Sequence, residues 1–461
     1  MTAGALPTRA EDSPESLAQR IYDSLKITDT AEILLAVAWV TDAQRRNVLL
    51  FPEFLAADYT HQTNAEARPS FRLAGYDSMN RTFSGLESFL PNTCRWIFDW
   101  IARAVIPQLH DQRAISRMQV LGTDAEEKEY NPFVSLMGTD KVYKNLHHQL
   151  CCFHMFRMGP KGKGFLTRAS RMKPEGQNIY SAITKWLYSW TDAVETKQEF
   201  EVSQELLFAY LCYPDVIAAL GKCFTDEIAD YVRTSVLPHR EKIAFYMFKG
   251  TRSFENRTTS SVEVEGGILK HHAVGPKPQH SIDRAYDSIL HVDKIRAIKR
   301  DQKVAKEMDT MPVEEVNSKS AYLHLFEDLT SFAAEKLVKE FEARTKYSCF
   351  RKDKTTFYVK ARELEEFCQG MADPEFHKAI IPRFERTRVV SLVHGSEGKY
   401  YLTCTCCHYL QFGIGCHHKF SVSNELPEFA DVTICWHQVY ARNYGHGNEQ
   451  LKALTTIALQ L

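Results

Sequence analysis

The sequence contains no apolar run long enough to cross a lipid bilayer. Its longest run, Ile33 to Val40, is far shorter than the roughly 20 residues that a membrane-spanning helix needs. The residues before it do not have the charged, apolar and small-residue order typical of a secretory signal peptide. We therefore expect a soluble, intracellular protein with no membrane partner.

The chain also lacks a charge excess of either sign, internal repeats and low-complexity segments. With 57 Lys+Arg against 58 Asp+Glu, the net charge is −1, which is not the basic balance typical of a nucleic-acid-binding domain. Any contact with DNA is therefore expected at local basic patches. The 461 residues, 44% of them hydrophobic, suffice for two or three domains with sizeable cores.

Cysteine is present, but without the pattern of a disulfide scaffold. Twelve cysteines are scattered along the chain, several of them close to a histidine. In a chain of this size, such a distribution favours a reducing compartment in which thiols are metal ligands or core residues. We expect few or no disulfides.

Two aspartates come where short apolar strand patterns end. Phe54 to Ala57 is followed by Asp58, and Ile115 to Leu121 is followed by Gly122-Thr123-Asp124. A carboxylate on such a rigid support can hold the divalent metals that phosphoryl transfer on DNA requires. Taken singly, however, an Asp at a strand end is more often a turn former or a helix cap.

A third carboxylate lies on a predicted helix. The pattern from Val262 to Lys270 is helical, and Glu263 and Lys270 share one face because they are seven residues apart. Gly266 and Gly267 each weaken this helix by about 1 kcal/mol. By itself, Glu263 is more often a solvated helix residue than a ligand.

Three segments around these acids resemble the signatures of Mutator-like element (MULE) transposases, in family order. Residues 58–64 are similar to the D-x-T-x-x-T-N signature of the first catalytic acid. Thr123-Asp124 and residues 148–154 resemble the second acid and the H-x-L-C-x-W-H segment that follows it. Residues 259–270 resemble the helix of the last acid, whereas the family's acidic residue before the first core helix is replaced by Pro91-Asn92-Thr93.

The resemblance implies an α/β fold with an RNase H-like (retroviral integrase-like) catalytic core and a helical insertion. It makes Asp58, Asp124 and Glu263 the catalytic acids and the ligands of Mg²⁺ or Mn²⁺. Cys151 and His154 become a supporting core pair, although on a buried strand both can simply be core residues. The candidate DNA contacts are Lys270, Lys161 and Lys163, for which solvated surface positions are the commoner alternative.

A second cysteine-rich pattern lies near the end of the chain. Cys404-Thr405-Cys406 and Cys416-His417-His418 form a Cys-x-Cys and Cys-x-His arrangement. Four N and S ligands in two close pairs allow a closed tetrahedral zinc site formed by Cys404, Cys406, Cys416 and His418. Cys407, His408 and His417 are alternative ligands, and a cluster of core thiols is the alternative interpretation. The arrangement resembles a SWIM-type zinc-binding module, which accompanies MULE transposases.

These features divide the chain into five predicted segments. They are a flexible N-terminal tail (1–30), the RNase H-like DDE core (31–275) with a helical insertion at about 157–255, a helical region (276–345), the SWIM-type module (346–444) and a C-terminal helix (445–461).

The resemblance predicts a DDE-type transposase that cleaves and transfers DNA strands at transposon terminal inverted repeats. Its expected partners are double-stranded DNA and further copies of itself in a synaptic complex, and its expected location is the nucleus. Because the family's N-terminal DNA-binding finger is missing from this sequence, a shortened or domesticated copy is one expectation. A non-enzymatic, transposase-derived transcriptional regulator is the alternative, and a nuclease of the same fold is a third.

Overall fold

The computed structural model describes residues 35–61, 64–140, 142–157, 168–270, 281–309, 325–326, 329–362, 386–394 and 400–423, together with residues 13, 15, 16 and 19. The rest of the predicted tail (1–30), the predicted C-terminal helix (445–461), Lys161 and Lys163 lie outside the described residues. The described chain is mixed α/β and forms two compact units. The first comes from Met1–Gln149 and Thr258–Phe332, and the second from Leu150–Arg257 and Ala333–Thr433.

The first unit is built on a mixed six-stranded sheet. Its strands are β1 (Val37–Trp39), β2 (Phe54–Thr60), β3 (Ser70–Tyr76), β4 (Thr82–Phe89), β5 (Val120–Thr123) and β6 (His147–Leu150), in the order β1-β4-β3-β2-β5-β6. Strands β1 to β4 pair antiparallel, whereas β2 and β5 pair parallel. Both faces of the central strands are buried, because β2 begins with four consecutive buried residues and all of β5 is buried.

Helices cover this sheet and connect its strands. They are α1 (Asp42–Leu50), α2 (Arg95–Trp100), which continues through a π-helical turn (Ile101–Val105) into α3 (Ile106–Leu109), α4 (Gln112–Arg117), α5 (Glu127–Leu136), and, later in the chain, a helix at Ser260–Ile268 and one at Ile282–Asp309. The last of these contributes Ala285 and Ile289 to a core cluster with Trp39 and Phe89 of the sheet. The late part of the chain therefore completes the core of the first unit.

The second unit combines helices with a small antiparallel sheet. Its helices are α6 (Cys152–Arg157), α7 (Pro174–Asp192), α8 (Lys197–Leu211), α9 (Pro214–Leu220), α10 (Lys222–Tyr231), α11 (Arg240–Ile243) and α12 (Phe245–Phe248). The two first-unit helices that follow are α13 (Ser260–Ile268) and α14 (Ile282–Asp309). The second unit resumes with α15 (Ser331–Ala343), β7 (Tyr347–Arg351), β8 (Thr356–Ala361), β9 (Arg388–His394), β10 (Tyr400–Cys404), α16 (His408–Phe412) and α17 (His417–Ser423), the strands lying in the order β10-β9-β8-β7. None of the described helices combines the length and the hydropathy that a bilayer crossing requires.

Two expected strands differ from the structure. The segment predicted as a strand from residue 147 to 156 is a strand only to Leu150 and then becomes helix α6. The segment from Ile115 to Leu121 begins within α4 and is a strand only from Val120. Periodicity cannot distinguish a short apolar run in a buried strand from one in a buried helix. The position of Asp124 directly after a strand is nevertheless as predicted.

Candidate metal centres

Asp58 and Asp124 lie at the same end of the first unit's sheet, towards the carboxyl ends of the parallel strands β2 and β5. We call this end of the sheet the acidic edge. In the parallel pairing of β2 with β5, Ala56 stands opposite Gly122. Continuing this register by two residues aligns Asp58 with Asp124, on strands that neighbour each other at about 4.8 Å. Strand β2 is longer than expected and runs on to Thr60. Asp58 therefore lies within β2, at the level where its neighbour β5 has ended.

Helix α13 passes across this edge. The hydroxyl group of Thr259, the residue before the helix, donates a hydrogen bond of 3.3 Å to Asp124 Oδ1. About two turns later, a Cβ atom added to Gly266 would lie 3.4 Å from Thr60 Oγ1 at the end of β2. Glu263 follows Thr259 by four residues and precedes Gly266 by three, so all three share one helix face. The exposed side chain of Glu263 therefore projects from the face of α13 that contacts the acidic edge.

The structure brings a further acid, Glu129 of α5, to the same edge. Glu129 has no exposed surface, and within the described part of the chain neither of its carboxylate oxygens has a hydrogen-bond partner. Burial raises the pKa of Glu129 well above its usual range, and repulsion from Asp58 and Asp124 raises it further. The sequence does carry a signal for it. Glu129 occupies the first position of an i, i+3, i+4, i+7 stripe whose other members, Pro132, Phe133 and Leu136, are all buried.

The other predicted residues of the acid site are placed as follows. Lys270 is exposed just after α13. Cys151 is buried directly before α6, and His154 lies within that helix, so the pair is not on a strand as expected. Their supporting role stays a prediction.

Four potential metal ligands of the second unit converge where β10 ends. The ligand atoms of Cys404, Cys406, Cys416 and His418 all lie within 4.8 Å of one another. Sulfur and imidazole donors in this number and proximity are typical of structural zinc sites. The cluster could therefore bind a metal such as zinc, and the four residues selected from the sequence do form one group. The ten described cysteines are all free thiols.

The backbone of this cluster folds back on itself within a short segment. Strand β10 ends on Cys404, and the amide of Cys406 lies 3.5 Å from the Cys404 sulfur. Helix α16 then ends at Gly413, whose φ of 70° is a left-handed conformation that glycine adopts without steric cost. The chain thereby returns to place Cys416 and His418 beside the first two thiols.

Burial has opposite consequences for the thiol and the imidazole of this cluster, because it favours the protonated thiol, which must lose its proton to bind a metal, and also favours the neutral imidazole. Burial raises the pKa of the Cys416 thiol, whose side chain is 1% exposed, and lowers the pKa of His418 well below its usual range. His418 is therefore a neutral imidazole, the form that coordinates metals. Its buried Nδ1 atom has no hydrogen-bond partner among the described residues. A metal ion would satisfy this atom.

None of the three alternative ligands belongs to this group of four. His417 Nδ1 is hydrogen-bonded to Glu340 Oε2 at 2.7 Å, and His408 Nε2 lies 3.8 Å from the other oxygen of that carboxylate. The Cys407 thiol donates to the carbonyl oxygen of Thr405 at 3.6 Å. The hydrogen bond to Glu340 of α15 thus separates His417 from the cluster and leaves His418 as the potential metal ligand. Sequence spacing alone could not distinguish these two histidines.

No protein-family model matches the chain, and no curated protein matches it either. The geometry and chemistry of these two groups of residues are therefore the basis for proposing a function.

Proposed function

We propose that this protein is a DDE-type DNA transposase of the Mutator-like kind, with an RNase H-like core in its first unit. The observation that carries the proposal is the parallel register of β2 with β5, which brings Asp58 opposite Asp124 when it is continued by two residues, together with the passage of α13 over them. Glu263 is the third catalytic acid. Its exposed carboxylate is accessible to a DNA substrate.

The strand topology supports an RNase H-like core. In that fold, the acids lie at the ends of the first and fourth strands and on a late helix. If β2 is counted as the first strand, β3 and β4 follow it antiparallel and β5 is the fourth, parallel to β2. Asp58 then belongs to the first strand, Asp124 follows the fourth, and Glu263 lies on the late helix α13. Strand β1 is the outermost strand on the other side of the sheet, where it pairs with β4.

The proposed triad suits a hard divalent cation, because Asp58, Asp124 and Glu263 are all carboxylates. When bound, Mg²⁺ or Mn²⁺ supplies an activated water or 3′-hydroxyl and stabilises the leaving oxygen. The protein's own contribution is positioning. The Thr259 hydroxyl orients Asp124, and the amide of Tyr59 donates to Asp58 Oδ1 at 2.7 Å. Both carboxylates are thereby held on a rigid sheet edge.

The remaining assignments follow from this proposal. The Cys/His cluster is a SWIM-type structural zinc module, and Lys270 contacts a DNA phosphate, which positions DNA without reading its sequence. The substrate is double-stranded DNA of the terminal inverted repeats, held by a homo-oligomer in a synaptic complex. The protein acts in the nucleus, where such DNA is found.

The test is cleavage of the terminal-repeat DNA that flanks the gene, with Mn²⁺ or Mg²⁺ present. Wild-type protein should nick this DNA, and Glu263→Gln should abolish cleavage but retain binding, because the amide keeps the shape and removes a ligand charge. Glu175→Gln is the matched control, since Glu175 is an exposed acid in the first turn of another helix. Binding should weaken steeply with salt, because phosphate contacts release counterions.

Two outcomes would replace the proposal. A wild-type protein that binds the repeats but never cleaves them is a transposase-derived regulator, the alternative that the nearly neutral net charge of −1 favours. A protein that neither binds nor cleaves them is not a transposase.

A further inference from the structure

The four-stranded sheet of the second unit has one face that is buried and one that is not. Residues directly opposite on neighbouring strands share a face, and successive residues of a strand alternate between faces. On one face, Val359, Arg388 and Val390 are buried, and Cys404 of the Cys/His cluster stands opposite Val390. Helix α17, which carries another potential ligand of that cluster, packs against all four strands and covers this face. On the other face, none of the described strand residues is buried.

The second face carries two strongly exposed aromatic side chains. Phe350 of β7 is 63% exposed and stands opposite Tyr358 of β8, which in turn stands opposite Val389 of β9. Tyr401 of β10 is 53% exposed and stands opposite Val393, four residues after Val389 in the same strand. All five side chains therefore lie on one face of the sheet, which we call the open face. Exposed apolar groups that share a face mark an interaction site, whereas singly scattered ones need no such explanation.

The open face lies in a region with a local excess of positive charge. Residues 344–362 contain seven Lys and Arg residues and one acid, Asp353, although the whole chain has a net charge of −1. The carboxylate of Asp353 accepts hydrogen bonds of 2.8 Å from two amides of the turn between β7 and β8. Lys352 is exposed, and its amine lies 5.5 Å from the centre of the Tyr358 ring. Lys360 follows Tyr358 by two residues and is exposed on the same face.

Aromatic rings flanked by lysines suit an unpaired nucleic-acid strand. Every base has a flat π surface that can stack on an aromatic side chain, and every phosphate carries a negative charge that attracts a lysine. Four-stranded sheets with exposed aromatic residues bind unpaired bases in this way. The bases of a duplex already stack on one another, so a duplex would contact the lysines and leave Phe350 without a base.

We infer that the open face binds single-stranded DNA, with Phe350 stacking on a base and with Lys352 and Lys360 contacting phosphates. The choice of DNA over RNA rests on the proposed function, which acts on DNA strands. The surface itself does not, because stacking and charge attraction require no cleavage and involve none of the proposed catalytic acids. Tyr401 provides a second stacking position near the other edge of the sheet.

The experiment measures the fluorescence anisotropy of labelled oligothymidylate as the full-length, zinc-loaded protein is added. The wild type should bind this single strand. Phe350→Leu should weaken binding by about tenfold, because leucine is apolar but has no ring on which a base can stack. Phe350→Tyr keeps the ring and should bind like the wild type. The matched control is Tyr400→Leu, which removes an exposed aromatic residue from the opposite face of the same sheet and should leave the affinity unchanged.

Salt dependence measures the contribution of the lysines. The logarithm of the binding constant falls linearly with the logarithm of salt concentration, and each phosphate contact on a single strand contributes about 0.7 to the slope. Lys360→Gln should therefore reduce the slope by about 0.7. Lys185→Gln, which removes an exposed lysine of α7, should leave the slope unchanged.

Four results would overturn the inference. They are a wild type that does not bind oligothymidylate, wild-type affinity in Phe350→Leu, unfolding of Phe350→Leu in circular dichroism, and binding of duplex DNA of the same length at least as tightly as the single strand. Tighter binding of oligouridylate would overturn the choice of DNA. Self-association that sedimentation detects in the wild type but not in Phe350→Leu would make the open face an interface between copies of this chain instead. Oligothymidylate binding by a protein that never cleaves the terminal repeats would refute the proposed function and leave this surface assigned.

Discussion

At the scale of single residues, the first unit treats its buried charges in two ways. Near α14, buried acids are paired with arginine. Glu87 accepts from Arg72 at 2.8 and 2.9 Å, and Glu265 is paired with Arg296 and with the Thr82 hydroxyl at 2.6 Å. At the acidic edge, Glu129 has no such partner among the described residues. The contrast supports a structural role for the paired acids.

Asp293 of α14 is a further buried acid that interacts with this paired group. Burial raises the pKa of Asp293 from 3.8 to about 7, and Glu87 adds repulsion. Because the pKa of Asp293 is higher in the folded than in the unfolded protein, protonation of Asp293 stabilises the folded state. This stabilisation is fully present below the unfolded pKa of 3.8 and is lost as pH rises to about 7. Asp293→Asn keeps the acceptor for the Gln44 amide, which donates at 2.8 Å, and removes this titration.

We therefore predict that the stability of Asp293→Asn relative to wild type grows as pH rises through this range. Urea unfolding between about pH 4 and pH 8 measures the difference. The control is Asp301→Asn, an exposed acid of the same helix, whose difference from wild type should be small throughout. A wild-type-to-Asp293→Asn difference that does not vary with pH would contradict the prediction.

At the scale of elements, α13 is weakened by two adjacent glycines that have different surroundings. A Cβ atom added to Gly266 would lie 3.4 Å from Thr60 Oγ1 and 3.7 Å from an Arg72 nitrogen. No atom lies within 4 Å of the corresponding position at Gly267. The first glycine therefore allows the helix to approach β2, whereas the second has no such role in the described residues.

The prediction is that Gly267→Ala stabilises the protein by up to about 1 kcal/mol, because alanine has the higher helix propensity. Gly266→Ala should gain less, since its methyl group would enter the contact with β2. Chemical denaturation of both variants measures the two effects in the same helix. Destabilisation by Gly267→Ala, or a larger gain in stability from Gly266→Ala, would contradict the prediction that only Gly266 lies against β2.

At the scale of the whole molecule, the two candidate metal centres belong to different compact units. The carboxylate edge is in the first unit, and the Cys/His cluster is in the second. Structural zinc contributes its binding free energy to folding, so its loss should destabilise the elements around its ligands. We expect one zinc ion per chain by elemental analysis.

Chelation of zinc should therefore loosen β9, β10 and α17 and leave β2 to β5 protected. Hydrogen–deuterium exchange with and without chelator resolves these strands separately. Cys416→Ser should reproduce the effect of chelation, whereas Cys349→Ser, which removes an exposed thiol outside the cluster, should retain zinc. Zinc-free protein with unchanged exchange in β10 would refute a structural metal.

Several features of the molecule could be read from the sequence because they depend on residues close together in the chain. Cys404-x-Cys406 and Cys416-x-His418 predicted one group of ligands, since each pair is adjacent and only a short segment separates the pairs. Apolar patterns also placed Asp124 directly after a strand and Glu263 on a helix. The α/β class that the resemblance implied is also observed.

Tertiary structure decided what depends on residues far apart in the chain. Parallel pairing of β2 with β5, continued by two residues, brings Asp58 opposite Asp124. Glu340, 77 positions from His417, withdraws that histidine from the cluster. Residues 152–157 form a helix, which their short apolar pattern could not distinguish from a strand. Local sequence determines which residues can serve at each site, whereas long-range packing and charge determine which of them do.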